Sequence, residues 1–272
     1  CLNYVKVVGL NKGADGKLCS VEAVDQLSGE RYTIHAKLFV NATGVYVDDI
    51  MQMDAPKVRK KIRPSQGVHL IVDSKFLGGN SALMIPKTKD GRVLFGVPWH
   101  GKVVLGTTDT PLDEETLEPR ALDSEVDFIL DQAGQYLEQK PTRADVLAVF
   151  AGLRPLAAPT DADGKKTKEI SRNHKIYRSP SGLLTITGGK WTTYREMAED
   201  AINIGMEMAG LPRKECVTKH LKVHGYAKPT GDTSWNYVYG SDAARIRQLE
   251  QECPEYAAPL HPGYTFTGAH VA

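Results

Sequence analysis

Alternating apolar and polar residues predict strands along most of the chain. The stretches "CSVEAVDQL" and "ERYTIHA" alternate around the turn "SG", which is typical of a β-hairpin. "KLFVNATG" is a short apolar strand that ends in a glycine turn. Short links, too short for helical crossovers, separate the next runs, so we predict antiparallel strands in "GVHLIVD", "ALMIPKT", "GRVLFGVPWH" and "KVVLGTTD".

Between these strands, several stretches have the apolar spacing of a helix. In "DSEVDFILDQAGQYLEQ" apolar residues recur every three or four positions, and Asp123 or Ser124 is a candidate N-cap. "VYVDDIMQM" predicts a short helix, and residues 190–209 and 241–252 predict two others. "DVLAVFAGLRPLA" predicts a buried strand, and "ISRNHKIYR" and "GLLTIT" predict two more strands. Strands with helices between them indicate a mixed α/β (α+β) fold.

Composition and charge exclude several classes of function. Hydrophobic residues make up 41% of the 272 residues, which is normal for a protein with a core. The 34 Lys and Arg residues balance 33 Asp and Glu, so no nucleic acid is expected to bind through bulk charge. The four cysteines are scattered, so we expect reduced thiols and no metal site. No apolar run approaches the roughly 20 residues that span a bilayer.

The stretch "TITGGKWTTYR" combines a strand, two glycines and a helix start. The first turn of a helix offers unpaired N–H donors and a partial positive charge. Gly188 and Gly189 permit a ligand to approach the backbone, and Lys190 adds a full charge. Thr192 or Thr193 can cap the helix or donate to a ligand. This arrangement suits an anion, and the alternative is an ordinary glycine turn with a solvent-directed lysine.

Three further side chains are candidates for chemistry. Arg154 lies between apolar residues in "VFAGLRPLAAP", and a buried arginine needs an anionic partner, either a ligand or an internal carboxylate. Arg172 in "EISRNHKIYR", taken alone, is more typical of a surface residue. His69 shares a strand face with Gly67 and Ile71 in "QGVHLIV". It is either a core histidine or a base that is usable near neutral pH.

Taken together, these motifs resemble the FAD-dependent glycerol-3-phosphate dehydrogenases of the mitochondrial and related bacterial type. The matching stretches occur in the family's order over about residues 38–205. They are "NATG", "GVHLIV", "GRVLFGVPW", "GTTDTP", "FAGLRPL", "ISRNH" and "GGKWTTYREMAEDAI". The chain departs from the family in "NATGVYVDD", where Pro-Trp usually follows the glycine, and this change leaves the strand and turn intact.

The resemblance implies a discontinuous FAD-binding domain and an antiparallel sheet that caps the substrate. We therefore expect residues 1–54 to be part of the FAD-binding domain and residues 55–150 to be the substrate-binding cap. Residues 151–212 would complete the FAD-binding domain and add a cap strand, and residues 213–272 would begin a C-terminal helical domain. Because no G-x-G-x-x-G is present, we expect an internal fragment of a longer flavoprotein that is inactive by itself.

The resemblance also implies roles for individual residues. Two strand ends would line the FAD, with N–H groups past the glycine turn facing the flavin edge that gains negative charge. These cofactor-binding residues are Ala42, Thr43, Gly44, Gly188, Gly189, Trp191 and Thr192. Arg154, Arg172 and Lys190 would surround the substrate phosphate, and His69 would take the hydroxyl proton.

The reaction implied is oxidation of sn-glycerol 3-phosphate to dihydroxyacetone phosphate, with hydride transfer to FAD and electrons passed to a membrane quinone. The parent protein would be cytoplasmic and peripherally membrane-associated, and a homodimer is compatible with it. An oxygen-dependent glycerol-3-phosphate oxidase, or another flavin oxidase of the same fold, is the main alternative. A relative that oxidises an amino or hydroxy acid would need one arginine for a carboxylate and no cluster of cations.

Overall fold

The computed structural model describes residues 1–157, 174–228, 235–262 and 265–272. They divide into two compact units, Cys1–Lys214 and Glu215–Ala272. Within the described part of Cys1–Lys214 the strands form three sheets. The mixed α/β prediction is therefore confirmed, with antiparallel pairing dominant.

The N-terminal sheet consists of β1 (Val5–Lys12), β2 (Leu18–Asp25) and β3 (Arg31–His35), all antiparallel. The predicted hairpin is the pair β2–β3. Its turn contains Gly29 in the left-handed region, at φ +78°. The Asp25 carboxylate accepts hydrogen bonds from two turn N–H groups and fixes this turn.

The large sheet contains the predicted antiparallel strands. Its order is β10-β5-β8-β7-β6, and β9 pairs with β5 off this path. The strands are β5 (Ile62–Asp73), β6 (Leu83–Ile85), β7 (Leu94–Trp99), β8 (Lys102–Gly106), β9 (Thr110–Pro111) and β10 (Ala148–Ala157).

One face of the large sheet forms the core of this unit. Val68, Leu70 and Val72 alternate along β5 and are fully buried. Helix α2 (Asp123–Ala133) covers them with Ile129 and the other apolar residues of its inner face. The opposite face of the sheet carries His69 and Arg154, so the core packing fixes the direction in which both side chains point.

The prediction of a buried strand in "DVLAVFAGLRPLA" is wrong in one respect. Strand β10 lies at the edge of the large sheet and is only partly buried. Val149 and Phe150 are 44% and 50% exposed. The apolar run in the sequence could not distinguish an edge strand from a central one, since both are rich in β-branched and aromatic residues.

The small sheet has the order β11-β12-β4, from Lys175–Arg178, Leu183–Thr187 and Phe39–Asn41. Strands β12 and β4 are parallel, with Thr185 opposite Asn41. Asn41 is buried and donates from Nδ2 to the carbonyl of Val47 at 2.9 Å, which ties β4 to helix α1 (Val47–Asp54).

The ends of two predicted helices differ from the sequence expectation. The N-cap of α2 is Leu122, and neither Asp123 nor Ser124 caps it. Instead the Glu125 carboxylate accepts from the Leu122 N–H at 2.9 Å. After the short 3-10 helix Trp191–Thr193, helix α3 spans Tyr194–Met208.

The unit Glu215–Ala272 contains helix α4 (Ala243–Glu252), the 3-10 helix Trp235–Asp242 before it, and 3-10 turns at Pro254–Ala257 and Gly268–His270. His270 Nδ1 accepts from the Thr267 N–H at 3.0 Å, and its Nε2 lies 3.1 Å from Asn236 Oδ1. These two contacts require the proton on Nε2, and they tie the end of the chain to the turn before α4.

Among the described residues, no helix combines the length and the apolar character that crossing a bilayer requires. The same residues contain no group of three or more His, Cys, Asp or Glu side chains placed to hold a metal ion.

Candidate active site

Two glycine-containing stretches leave the same edge of the small sheet. Because β4 and β12 are parallel and Thr185 lies opposite Asn41, both strands reach this edge with their carboxyl ends. Ala42, Thr43 and Gly44 follow β4, and Gly188 and Gly189 follow β12. Ligands of open α/β sheets bind outside the carboxyl ends of the strands, so the topology brings the predicted cofactor-binding stretches together at a suitable edge.

The backbone of these turns needs glycine. Gly188 and Gly189 have φ +77° and +81°, and Gly44 has φ +63°. A Cβ at Gly189 would lie 2.8 Å from the Met197 methyl, so the turn also packs tightly on α3. Thr193 forms two hydrogen bonds with the backbone of Lys190, which holds the start of the helix next to the glycines.

A cavity of about 580 Å³ lies between the end of β10 and this glycine turn. Its lining combines Arg154 from the large sheet with Lys190 and Trp191 from the helix start. The full lining is Leu153, Arg154, Pro155, Leu156, Gly188, Gly189, Lys190, Trp191, Tyr194 and Met197. Two cations therefore face one cavity beside a helix start, which is an arrangement for binding an anion.

Arg154 is held by the segment that follows β8. Its Nη1 donates to the Thr108 carbonyl and its Nη2 to Thr107 Oγ1, both at 3.1 Å. Nη1 also lies 3.6 Å from the carboxylate of Asp109, whose side chain is 6% exposed. Ser65 donates its hydroxyl to the same carboxylate oxygen. The internal ion pair considered for Arg154 thus exists, and the guanidinium still lines the cavity.

Glycines on the large sheet make room for both candidate side chains. A Cβ at Gly67 would lie 2.6 Å from the guanidinium carbon of Arg154. A Cβ at Gly106 would lie 2.9 Å from Cγ of His69, which stands opposite Gly106 in the strand pairing. Arg154 and His69 therefore lie flat on the sheet face, and any other residue at these glycines would displace them.

His69 is half-buried and stacks on Phe150, with ring centroids 5.0 Å apart and planes at 10°. It lies on the face opposite the core residues Val68 and Leu70, so the alternative of a core histidine is wrong. Burial lowers the pKa of His69 below its ordinary value, and the positive charge of Arg154 lowers this pKa further. The imidazole is therefore neutral near pH 7 and can accept a proton.

The other predicted site residues have a less direct relation to the cavity. Arg172 lies outside the described residues. Thr192 is exposed in the 3-10 helix that follows Lys190. The Thr43 hydroxyl donates to Asn41 Oδ1 at 2.8 Å. The side chain of His69 is on the same sheet face as Arg154 but does not line the cavity.

Several residues of the site escaped the sequence analysis. Thr107, Thr108 and Asp109 belong to the matching stretch "GTTDTP", but nothing in the sequence indicated their contacts with Arg154. No sequence feature pointed to Ser65. Tyr194 stacks on Trp191 with centroids 5.3 Å apart, and both rings are exposed at the cavity. The helical spacing of Tyr194 and Trp191 was the available sign of this contact.

Two polar side chains near the glycine turns of the small sheet are available to contact a bound cofactor. The hydroxyls of Tyr46 and Thr187 are buried and have no hydrogen-bond partner among the described residues. Thr187 immediately precedes the glycine turn, and Tyr46 follows Gly44 closely. Buried polar groups without partners are rare in proteins, so polar capacity is in place for a bound group at this edge.

A family model described as FAD dependent oxidoreductase matches residues 1–195. The mitochondrial glycerol-3-phosphate dehydrogenase of Arabidopsis thaliana is 41% identical over 98% of this chain and 41% of its own length. The human mitochondrial enzyme of the same name is 41% identical over 99% of this chain and 37% of its own length.

A solved structure supports the same relationship. The glycerol-3-phosphate dehydrogenase of Bacillus halodurans, solved as a complex with FAD, superposes with a TM-score of 0.72 at 32% identity. The match covers 92% of this chain and 49% of that protein. The chain thus spans less than half the length of each of these relatives.

Proposed function

Since the chain belongs to the family of FAD-dependent oxidoreductases, we propose that the full-length protein oxidises sn-glycerol 3-phosphate to dihydroxyacetone phosphate. The observation that carries this proposal is the cavity that Arg154 and Lys190 both line beside the glycine turn. The names of the relatives, all glycerol-3-phosphate dehydrogenases, support the choice of substrate.

Arg154 and Lys190 bind the substrate phosphate in this proposal. A phosphate ester carries between one and two negative charges at neutral pH, and two cations at one cavity match that charge. The guanidinium fork of Arg154 offers paired donors to phosphate oxygens, while Lys190 acts as a flexible point charge. Arg172 is proposed as a third cation on the strength of the family motif "ISRNH" alone.

His69 is proposed as the base that removes the proton from the substrate hydroxyl. Burial lowers its pKa and keeps the imidazole neutral when substrate arrives, and the effect of the Arg154 charge on the same pKa supports a base on the sheet face that carries this cation. Stacking on Phe150 and contact with Gly106 fix the plane of the ring. General bases of this kind accelerate reactions by about 10²–10⁴-fold.

FAD, when bound, supplies the hydride acceptor. Ala42–Gly44 and Gly188–Gly189 would hold it at the edge of the small sheet, and the N–H groups of Trp191 and Thr192 would face negative charge there. The exposed Trp191–Tyr194 stack would offer an apolar surface on that side of the cavity. A helix start placed where charge develops lowers the barrier without reorganisation during the reaction.

We further propose a membrane quinone as the electron acceptor and peripheral attachment of the protein to that membrane. The support is that the relatives are named dehydrogenases, and the eukaryotic ones mitochondrial. A homodimer stays a prediction that sedimentation of the full-length protein tests.

Anaerobic titration of the full-length protein tests the proposed reaction. Glycerol 3-phosphate should bleach the flavin absorbance, while glycerol at the same concentration should bleach it far more slowly. A water-soluble quinone should then restore the yellow colour faster than oxygen does. Failure of glycerol 3-phosphate to bleach a protein that contains FAD contradicts the proposed substrate. Faster recovery with oxygen assigns the protein to the oxidases.

A further inference from the structure

Behind Arg154 lies a buried acid for which the proposed reaction needs no direct role. The Asp109 carboxylate is 3.6 Å from Arg154 Nη1, its side chain is 6% exposed, and it does not line the cavity. Ser65, fully buried, donates its hydroxyl to the carboxylate oxygen nearest Arg154. The acid is therefore fixed on one side and faces the guanidinium on the other.

The contacts of Arg154 define a single orientation of its planar guanidinium. The Thr108 carbonyl and Thr107 Oγ1 accept from two different nitrogens, and Asp109 lies near one of them. A side chain at Gly67 would collide with the guanidinium and force it to move. Rotation of the guanidinium would break these contacts together, so the protein fixes its orientation at the wall of the cavity.

We propose that Asp109 is a positioning residue, which acts through Arg154 to aim the guanidinium at the phosphate of the substrate. This inference rests on the proposed function for the identity of the anion, and on the geometry alone for the role of Asp109. Ser65 contributes to the same positioning, because its hydroxyl donates to the Asp109 carboxylate and orients it.

A purely electrostatic role of Asp109 makes the opposite prediction. A negative charge 3.6 Å from a guanidinium weakens the attraction of that cation for a second anion. Removing the charge without loss of orientation would therefore tighten phosphate binding. Loss of positioning would weaken it, so the sign of the change separates the two roles.

The test uses the full-length protein and inorganic phosphate, whose dissociation constant is measured by calorimetry. Asp109→Asn keeps the size of the side chain and removes its charge. We expect the dissociation constant for phosphate to rise about tenfold, since small misplacements of binding groups have effects of that order. Asp90→Asn is the matched control, because Asp90 pairs with Arg92 away from the cavity, and it should leave phosphate binding unchanged.

A double-mutant cycle separates positioning from a general effect on the fold. If Asp109 acts through Arg154, then Asp109→Asn should change phosphate binding less than twofold in an Arg154→Ala background. Ser65→Ala provides a second variant should Asp109→Asn fail to fold, and it should weaken phosphate binding in the same direction by about threefold.

Unchanged or tighter phosphate binding by Asp109→Asn would overturn the positioning role, as would a full effect in the Arg154→Ala background. Failure of phosphate to bind the wild-type protein would overturn it as well. A wild-type protein that binds phosphate in an Asp109-dependent way, but whose flavin is not bleached by glycerol 3-phosphate, would support the positioning role and contradict only the proposed reaction.

Discussion

The two walls of the cavity hold their cations in opposite ways. On the large-sheet wall, the Arg154 guanidinium lies flat over Gly67 and contacts Thr107, Thr108 and Asp109. On the small-sheet wall, Lys190 is exposed and follows two glycines with positive φ. The first wall offers a fixed side chain, and the second offers the backbone of a helix start with an exposed charge.

This difference indicates a division of tasks. A fixed, partly desolvated arginine binds an anion with a defined geometry and costs little additional entropy when the ligand arrives. An exposed lysine contributes mainly attraction that salt screens. In the proposed reaction, the reacting end of the substrate would therefore depend on the large sheet, which carries His69 and Arg154 on one face, and the cofactor end would depend on the backbone of the small-sheet edge.

The largest effect is expected from His69→Asn in the full-length protein. The substitution keeps the approximate shape of the side chain and removes the base, so the rate of flavin reduction by glycerol 3-phosphate should fall at least ~100-fold. Anaerobic stopped-flow absorbance measures this rate. A variant that keeps most of the rate would show that the large-sheet wall binds substrate without taking part in proton transfer.

Substitution of the two cations compares the walls directly. Arg154→Ala should lower kcat/KM for glycerol 3-phosphate by on the order of 100-fold relative to glycerol, since it removes a charge-assisted, partly buried contact. Lys190→Ala should lower the same ratio only about threefold, as expected for an exposed charge. Steady-state kinetics at two salt concentrations measure both. Equal losses for the two variants would contradict the proposed difference between the walls.

Gly67→Ala tests whether substrate binding depends on the close approach of the Arg154 guanidinium to Gly67. The added methyl would collide with the guanidinium, so kcat/KM for glycerol 3-phosphate should fall roughly tenfold through KM. Gly152 stands directly opposite Gly67, and a Cβ there meets nothing within 4 Å. Gly152→Ala is therefore the control, with a smaller effect on KM. A larger loss for Gly152→Ala would refute the close-approach role of Gly67.

The smallest expected effect is on pH dependence. Burial and the charge of Arg154 lower the pKa of His69 below 6.5, so the acid limb of kcat/KM should lie below that pH. Arg154→Ala removes a positive charge, which raises the pKa of His69, so the limb should move to higher pH. Kinetics between pH 5 and 8 test this. A limb that does not move would separate His69 from Arg154.

Much of the large sheet could be predicted from the sequence because its order follows from local information. Links too short for crossovers require antiparallel neighbours, and alternation along "GVHLIV" shows which residues share a face of the strand. The apolar spacing of α2 likewise locates the helix that covers the core. The core face of β5 could not be assigned, because Val68 and Ile71 are equally apolar and differ only in burial.

The candidate site was harder to predict from the sequence, because strands that are far apart along the chain bring its residues together. Nothing in "NATG" and "GGKW" alone states that β4 and β12 are parallel neighbours. Buried acids are hidden in the same way. In the sequence, nothing distinguishes Asp109 and Glu125 from ordinary surface carboxylates. In the structure they are only 8% and 4% exposed, and each accepts a hydrogen bond from a neighbouring side chain.

The parallel pairing of β4 with β12 has a consequence for how the protein folds. The whole large sheet is an excursion of the chain between these two neighbouring strands. Closing such a loop costs only about 0.6 kcal/mol more for each doubling of its length, so insertions within the excursion leave the edge nearly as stable. Pairing over such a separation is slow, however, whereas the hairpins of the large sheet are local. We therefore expect the small-sheet edge, proposed to hold the cofactor, to be completed after the large-sheet face that is proposed to hold the substrate.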